Sequence, residues 1–165
     1  MDVEQMLLEG TPFCGGAADI HKFFDQIQRK LVYEIAGMAG MPKAVLSAYR
    51  DFLENLNTYN GIGDNVGYKY AKKCGIPQGC PLSMTFVALM LRAWIVQLRA
   101  MQVDAKVLAD DVMIVAKGRR MLRQYTKALD HTHQYLQDMG AKVAPGKSYN
   151  FASTDLGRKW LKETW

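Results

Sequence analysis

Cysteine is scarce in this chain and shows no pairing pattern: Cys14, Cys74 and Cys80 stand apart, with no Cys-x-x-Cys spacing. That excludes a disulfide framework and a thiolate zinc ribbon, and it fits buried thiols in a reducing, intracellular compartment. Long apolar runs are also missing. The longest, residues 86–91, meets Arg92 far short of the roughly 20 residues a bilayer span needs, so no membrane partner is expected. The first ten residues carry Asp2, Glu4 and Glu9 and no base, which is the opposite of a secretory leader. His131 and His133 lie two apart and do not share a helical face, which argues against a histidine metal pair. Internal repeats and low-complexity segments are absent.

What remains is an ordinary globular composition. With 165 residues, 49% hydrophobic and 22% charged, the chain can bury one core, and a single domain over 1–165 is the default. The formal charge of +5 is unevenly spread. Residues 1–40 hold six acids against three bases, and residues 119–165 hold nine bases against four acids. A basic end fits a polyanion partner or, equally, a solvated helix face.

The most informative stretch is 107–115, Val-Leu-Ala-Asp-Asp-Val-Met-Ile-Val. Two short β-branched runs around an Ala-Asp-Asp centre read as a hairpin, with Asp110 and Asp111 at its tip. Asp is favoured in turns for its own side-chain bonds, so these acids read either as turn residues or as a mounted pair. As a mounted pair they repel unless a cation neutralises them, and Mg²⁺, a hard oxygen-seeking ion, suits that task.

Taken in order, residues 1–16 end in Thr-Pro-Phe-Cys-Gly-Gly and read as an irregular lead-in, with little order before Ala17. Residues 17–27 read as a short strand feeding a helix over 28–38. Asp19 then lies on the strand, where an acid needs a partner, and Asp25 lies at the helix start, where dipole and cap explain it. Residues 41–56, opening with Pro42, read as a second helix. Residues 57–67 break it, and Tyr68, Lys69, Tyr70, Ala71, Lys72, Lys73 alternate like an exposed strand that suits a nucleic-acid groove or a wet sheet edge equally. The two Gly and two Pro of 75–83 shape an exposed loop, with Ser83 as N-cap of a central buried helix over 84–101. An amphipathic helix over 118–139, ended by Gly140, precedes a Pro145-Gly146 turn, a last strand and a short terminal helix.

Strand, helix, hairpin, helix, strand is close to the ferredoxin-like β-α-β-β-α-β plan, an α+β fold in which the first strand can lie beside the hairpin. Asp19 would then meet Asp110, 91 positions away. Convergent acids of this kind position metal ions for phosphoryl transfer.

Four segments carry a family resemblance. Asp-Ile-His-Lys-Phe-Phe-Asp-Gln-Ile (19–27) resembles motif A of reverse transcriptases, Gly-Ile-Pro-Gln-Gly-Cys-Pro-Leu-Ser (75–83) their motif B, Ala-Asp-Asp (109–111) motif C, and residues 140–148 motif D. Order and spacing are most similar to the non-LTR retrotransposon and group II intron branch. The resemblance implies a polymerase palm with a partial helical fingers insertion at about 41–74, and RNA-directed DNA synthesis by two-metal nucleotidyl transfer. Its partners would be an RNA template, a DNA or RNA primer and deoxynucleoside triphosphates. It implies two Mg²⁺ ions, with Mn²⁺ as an alternative, held by Asp19, Asp110, Asp111 and the Ile20 carbonyl. Phe24 matches the gate that excludes a ribose 2′-OH, Gln78 and Gly79 lie where the nucleotide contacts motif B, and Lys147 matches the lysine that protonates or steadies the leaving pyrophosphate.

The chain departs from the family pattern at Leu108, where Tyr or Phe is usual, and at Phe23, Met84 and Ala144. Full fingers and a thumb are not among its residues, so the resemblance implies a palm fragment that is inactive by itself. A palm kept as a nucleic-acid or protein-binding scaffold is the alternative; an RNA-dependent RNA polymerase palm is disfavoured by Phe24 and Ala109.

Overall fold

In the computed structural model, residues 3–164 are described. They form α1 (Val3–Leu8), β1 (Phe13–Asp19), α2 (Phe23–Gln26), α3 (Arg29–Met38), α4 (Lys43–Glu54), β2 (Asn57–Thr58), β3 (Gly61–Ile62), β4 (Asn65–Val66) and β5 (Tyr70–Ala71). The chain continues through α5 (Ser83–Ala100), β6 (Asp104–Leu108), β7 (Asp111–Lys117), α6 (Met121–Asp138), a 3₁₀ turn (Pro145–Lys147), β8 (Tyr149–Ala152) and α7 (Asp155–Thr164). Two compact units result, one from residues up to 21 together with those from 91 onward, the other from residues 22–90.

The first unit is built on a four-stranded sheet in the order β6-β7-β1-β8, with every neighbouring pair antiparallel. Side chains alternate across it. Cys14, Ile20, Val112, Ile114 and Ala116 are buried on the face covered by α6, whose Met121, Tyr125, Ala128, Thr132 and Leu136 form one stripe. In the C-terminal half of α5, Leu91, Trp94 and Leu98 are buried, and Trp94 Nε1 donates to Thr132 Oγ1 over 3.0 Å. Two aromatic and hydroxyl polar groups thus enter the core only as a bonded pair.

Contrary to the reading of 1–16 as irregular, α1 and β1 occupy most of that segment. Met6 packs with Phe13 and Val115 on the sheet face opposite α6, flanked by Val3, Met113 and Phe151. Gly15 and Gly16 sit inside β1 as close-approach residues, not as a turn. A β-carbon on Gly15 would stand 2.7 Å from the Ile114 carbonyl and meet the Phe151 ring, and one on Gly16 would meet the Tyr125 hydroxyl and Asn150 Oδ1. Gly140 closes α6 as expected: the Ala141 N–H donates to the Leu136 carbonyl over 2.8 Å.

Two further expectations need correction. The helix over 84–101 is not buried on most faces: its buried stripe is Phe86, Val87, Met90, Leu91, Trp94 and Leu98, while Met84 and Val96 are exposed. Ser83 is the first residue of this helix and not the flanking cap position, and its hydroxyl donates back to the Cys80 carbonyl over 2.7 Å. No helix among the described residues is long and apolar enough to cross a membrane.

In the second unit α3 packs on α4, and the segment after α4 forms two small antiparallel pairs, β2 with β5 and β3 with β4. The strand expected over 68–73 shrinks to Tyr70–Ala71, which pairs with the two-residue strand Asn57–Thr58, and Tyr68 is 98% exposed.

The thiols divide rather than all being buried. Cys14 is buried and its pKa is pushed up to about 11 by that burial, whereas Cys74 is exposed. We expect an aromatic disulfide reagent at neutral pH to modify Cys74 in the folded protein and Cys14 only after denaturant is added; rapid native-state loss of the Cys14 thiol, read by peptide mass mapping, would contradict this packing. Gly16→Ala should lower stability by about 1–3 kcal/mol through overpacking against Tyr125, checked as a lower urea midpoint at unchanged slope.

Candidate active site

The acids named from the sequence come together through backbone pairing. Asp19 ends β1 and lies directly opposite Asp111, the first residue of β7, so their side chains share the sheet face away from α6. Asp110 sits in the two-residue loop between the paired Leu108 and Asp111, and its carbonyl accepts the Ile20 N–H over 3.1 Å. Ala109, the other loop residue, has φ +57, while Asp110 does not have positive φ, the pattern of a type II′ turn that ordinarily takes Gly. An alanine held there carries about 1–2 kcal/mol of backbone strain.

The motif D-like segment is stitched to the same strand end. The His21 N–H donates to the Lys142 carbonyl over 2.8 Å, Ile20 bridges Val143, and the Ala144 N–H donates to the Asp19 carbonyl over 2.9 Å. The Ala144 carbonyl in turn accepts the Lys147 N–H at 3.1 Å and the Ser148 hydroxyl at 2.8 Å. Its main chain carries all of these bonds, so the departure from the family's usual side chain leaves this turn intact. Lys147 Nζ then reaches Asp19 Oδ2 at 3.0 Å, with the lysine side chain 76% and the aspartate side chain 15% exposed. Asp19 raises the pKa of the Lys147 ammonium by hydrogen bond and charge, and Asp110 and Asp111 add to the effect.

A cleft of about 520 Å³ lies on this face, bounded by Asp19, Asp111, Lys106, Met113, Lys147 and Tyr149. A cavity of about 580 Å³ lies between the sheet and α6, but apolar groups dominate its wall and it holds no carboxylate pair, so volume alone does not mark the chemistry. Among the described residues no three carboxylates, imidazoles or thiols form a ready metal cage. Mg²⁺ does not require one: it is ordinarily held by one or two carboxylates with water and substrate phosphates completing the shell. The hard oxygens of Asp19, Asp110 and Asp111 fit such an ion.

Phe24, Gln78 and Gly79 belong to the second unit. Phe24 lies in α2, half-buried, its ring centroid 6.1 Å from that of Phe23. Asp25 lies in the first turn of α2, where its charge suits the helix dipole as expected, and it also pairs with Lys72 Nζ at 2.9 Å. Gln78 and Gly79 are the central residues of a β-turn closed by the Cys80 N–H on the Pro77 carbonyl over 3.1 Å. Gly79 at φ +83 supplies the conformation a type II turn needs, which leaves Gln78 exposed at the tip.

Arg29 is the residue that sequence reading missed. It is 4% exposed, its Nε donates to the Gly75 carbonyl over 2.9 Å and its Nη1 to the Leu53 carbonyl over 2.7 Å, and Glu54 lies 3.9 Å away. With the Gly75 N–H on Ile27 and the Ile76 N–H on Phe24, both at 2.8 Å, it ties the start of the Pro77–Cys80 turn to α2 and α4. The only signal was a base at the polar-to-apolar edge of a helix, which composition does not distinguish from a solvated one.

A family model for reverse transcriptase (RNA-dependent DNA polymerase) matches residues 6–161. The chain belongs to that family. A search of curated proteins gives no match. Among solved structures, apo telomerase from Candida tropicalis truncated from its C-terminal domain superposes with a TM-score of 0.68 at 15% identity, over 91% of this chain and 33% of that one. Telomerase from Candida tropicalis in complex with a fragment of telomeric RNA gives 0.67 at 11% identity, over 88% of this chain and 26% of that one. The mixed helix and sheet fold is therefore similar to that of telomerase, of which this chain spans a third or less.

Arg29→Ala should leave two buried carbonyls without their donor and cost about 2–3 kcal/mol. Limited proteolysis should then cut within 75–82 faster than in the parent; an unchanged digestion pattern would show that the arginine does not hold this loop.

Proposed function

We propose that this chain is the catalytic palm, with a partial fingers segment at about 41–74, of an RNA-directed DNA polymerase of the retroelement type. One observation carries the reading: Asp19, facing Asp111 and bonded through its neighbour Ile20 to Asp110, brings acids from two distant segments to one sheet end. The strand order β6-β7-β1-β8, all antiparallel, supports a ferredoxin-like plan. The order and spacing of the four motif-like segments favour the non-LTR and group II intron branch; telomerase likeness at 15% identity speaks to fold and does not choose a branch.

In this reading Asp19, Asp110 and the Ile20 carbonyl hold metal, and Asp111 supplies further negative charge at the same rim. Two Mg²⁺ ions, or Mn²⁺ in their place, would when bound there lower the pKa of a primer 3′-hydroxyl and neutralise triphosphate charge. The chain's own work is positioning, which dominates phosphoryl transfer. Gln78, at the tip of its turn, lies against nucleotide and template. Phe24 closes the sugar site to a 2′-hydroxyl, and Lys147 steadies or protonates the leaving pyrophosphate. RNA template, primer and deoxynucleoside triphosphates are the partners.

Residues 1–165 alone should bind primer-template weakly and with strong salt dependence, because basic residues from Arg119 onward attract phosphate without fixing its register. Joined to full fingers and thumb segments, the chain should extend a primer on RNA. There Asp110→Asn should abolish extension and Phe24→Ala should admit ribonucleotides, both read on a sequencing gel. Extension that survives Asp110→Asn would overturn the assignment.

A further inference from the structure

We propose that Lys147 is a tethered cation that competes with the metal for Asp19, so that loading the ion and freeing the lysine are one linked event. The inference rests on the polymerase reading above and adds to it a function for the ion pair.

The geometry points to a built contact. Lys147 ends a 3₁₀ turn whose first residue is Pro145, with φ fixed by its ring, and whose preceding residue Ala144 is bonded to the backbone of Asp19 itself. The ammonium is thus hung from the residue it pairs with, 3.0 Å from Oδ2. Three carboxylates at one rim repel one another; Lys106 lines the same cleft, and Lys147 is the cation paired with Asp19 there.

A divalent ion on the Asp19 carboxylate competes with that ammonium, because two cations held a few ångströms apart repel. Displacement is not costly for the fold. Lys147 is 76% exposed on a four-carbon stem and can swing into water while the Ala144 bonds stay in place. Ion pairs this open are weak, so the competition is modest and screened by salt. Its consequence is an order of events: the ammonium is available to a leaving phosphate only after Asp19 has passed to the metal.

The test uses Mn²⁺ as probe, titrated by electron paramagnetic resonance into residues 1–165 at low salt, with no turnover required. Lys147→Gln should tighten Mn²⁺ binding by roughly two- to ten-fold, Lys147→Arg should stay near the parent, and Asp19→Asn should abolish binding in either background. Unchanged thermal midpoints in the lysine variants confirm that the exposed position is not structural. If Lys147→Gln binds no tighter while Asp19→Asn still abolishes binding, the competition is wrong and the metal-site reading stands. Equal tightening by Lys147→Arg also overturns it, since the charge then does not act. If Asp19→Asn leaves Mn²⁺ binding intact, the metal-site reading itself falls.

Discussion

Everything at the candidate site depends on the antiparallel register of β1 against β7. Side chains alternate strictly along a strand, so a slip of one residue would carry Asp19 to the face under α6 and turn Ile20, now fully buried, to the open face. The register is held from both faces. On one, Tyr125 enters the space over Gly16 and bonds Asn150; on the other, the Phe151 ring lies over Gly15. Two consecutive residues without side chains let one aromatic ring approach each side of the sheet, and those rings fix where the strand must sit.

That is also why the start of β1 was illegible. A Gly pair following Pro reads as punctuation, and the strand role of Gly15 and Gly16 exists only once Phe151 and Tyr125 arrive from more than a hundred positions away. The hairpin at 104–117 was readable because both its strands declare themselves locally through β-branched runs. The α6 stripe was readable for the same reason, as was the Gly140 stop. The six-residue α1 was not, since a helix that short is stabilised by the Met6 contact and carries no sequence period to detect. At the candidate site, the meeting of Asp19 with the hairpin acids was legible from the order of the elements, but the partners of Lys147, Asp25 and Arg29 were not. Each of those bonds joins segments whose meeting is decided by packing.

The position of the acids, at strand ends and in a turn rather than mid-strand, follows from electrostatics. A carboxylate in the covered middle of the sheet would lose its hydration and shift toward the neutral form. At the rim Asp19 keeps 15% of its side-chain exposure, enough to stay solvated while its backbone is fixed on three sides by Asp111, Ala144 and the Ile20 link to Asp110. The strained Ala109 belongs to the same solution. A relaxed, longer loop would release Asp110 from the Ile20 bond, whereas the two-residue turn holds it against β1 at a cost of about 1–2 kcal/mol.

The rigid part of this rim and its mobile part are therefore different in kind. Backbone hydrogen bonds set the acids, and nothing short of unfolding the sheet end moves them. The lysine is set only at its base, by the Ala144 bonds, and its ammonium, at the end of four rotatable carbons, is held by one charge-assisted hydrogen bond to Asp19. On the proposed function, a site that accepts ions and then releases pyrophosphate needs fixed ligands and a cation able to change partners, and the fold has candidates for both from opposite ends of the chain's sequence. Asp19 comes from the first strand, Lys147 from the turn before the last, and β1 is the element that both share.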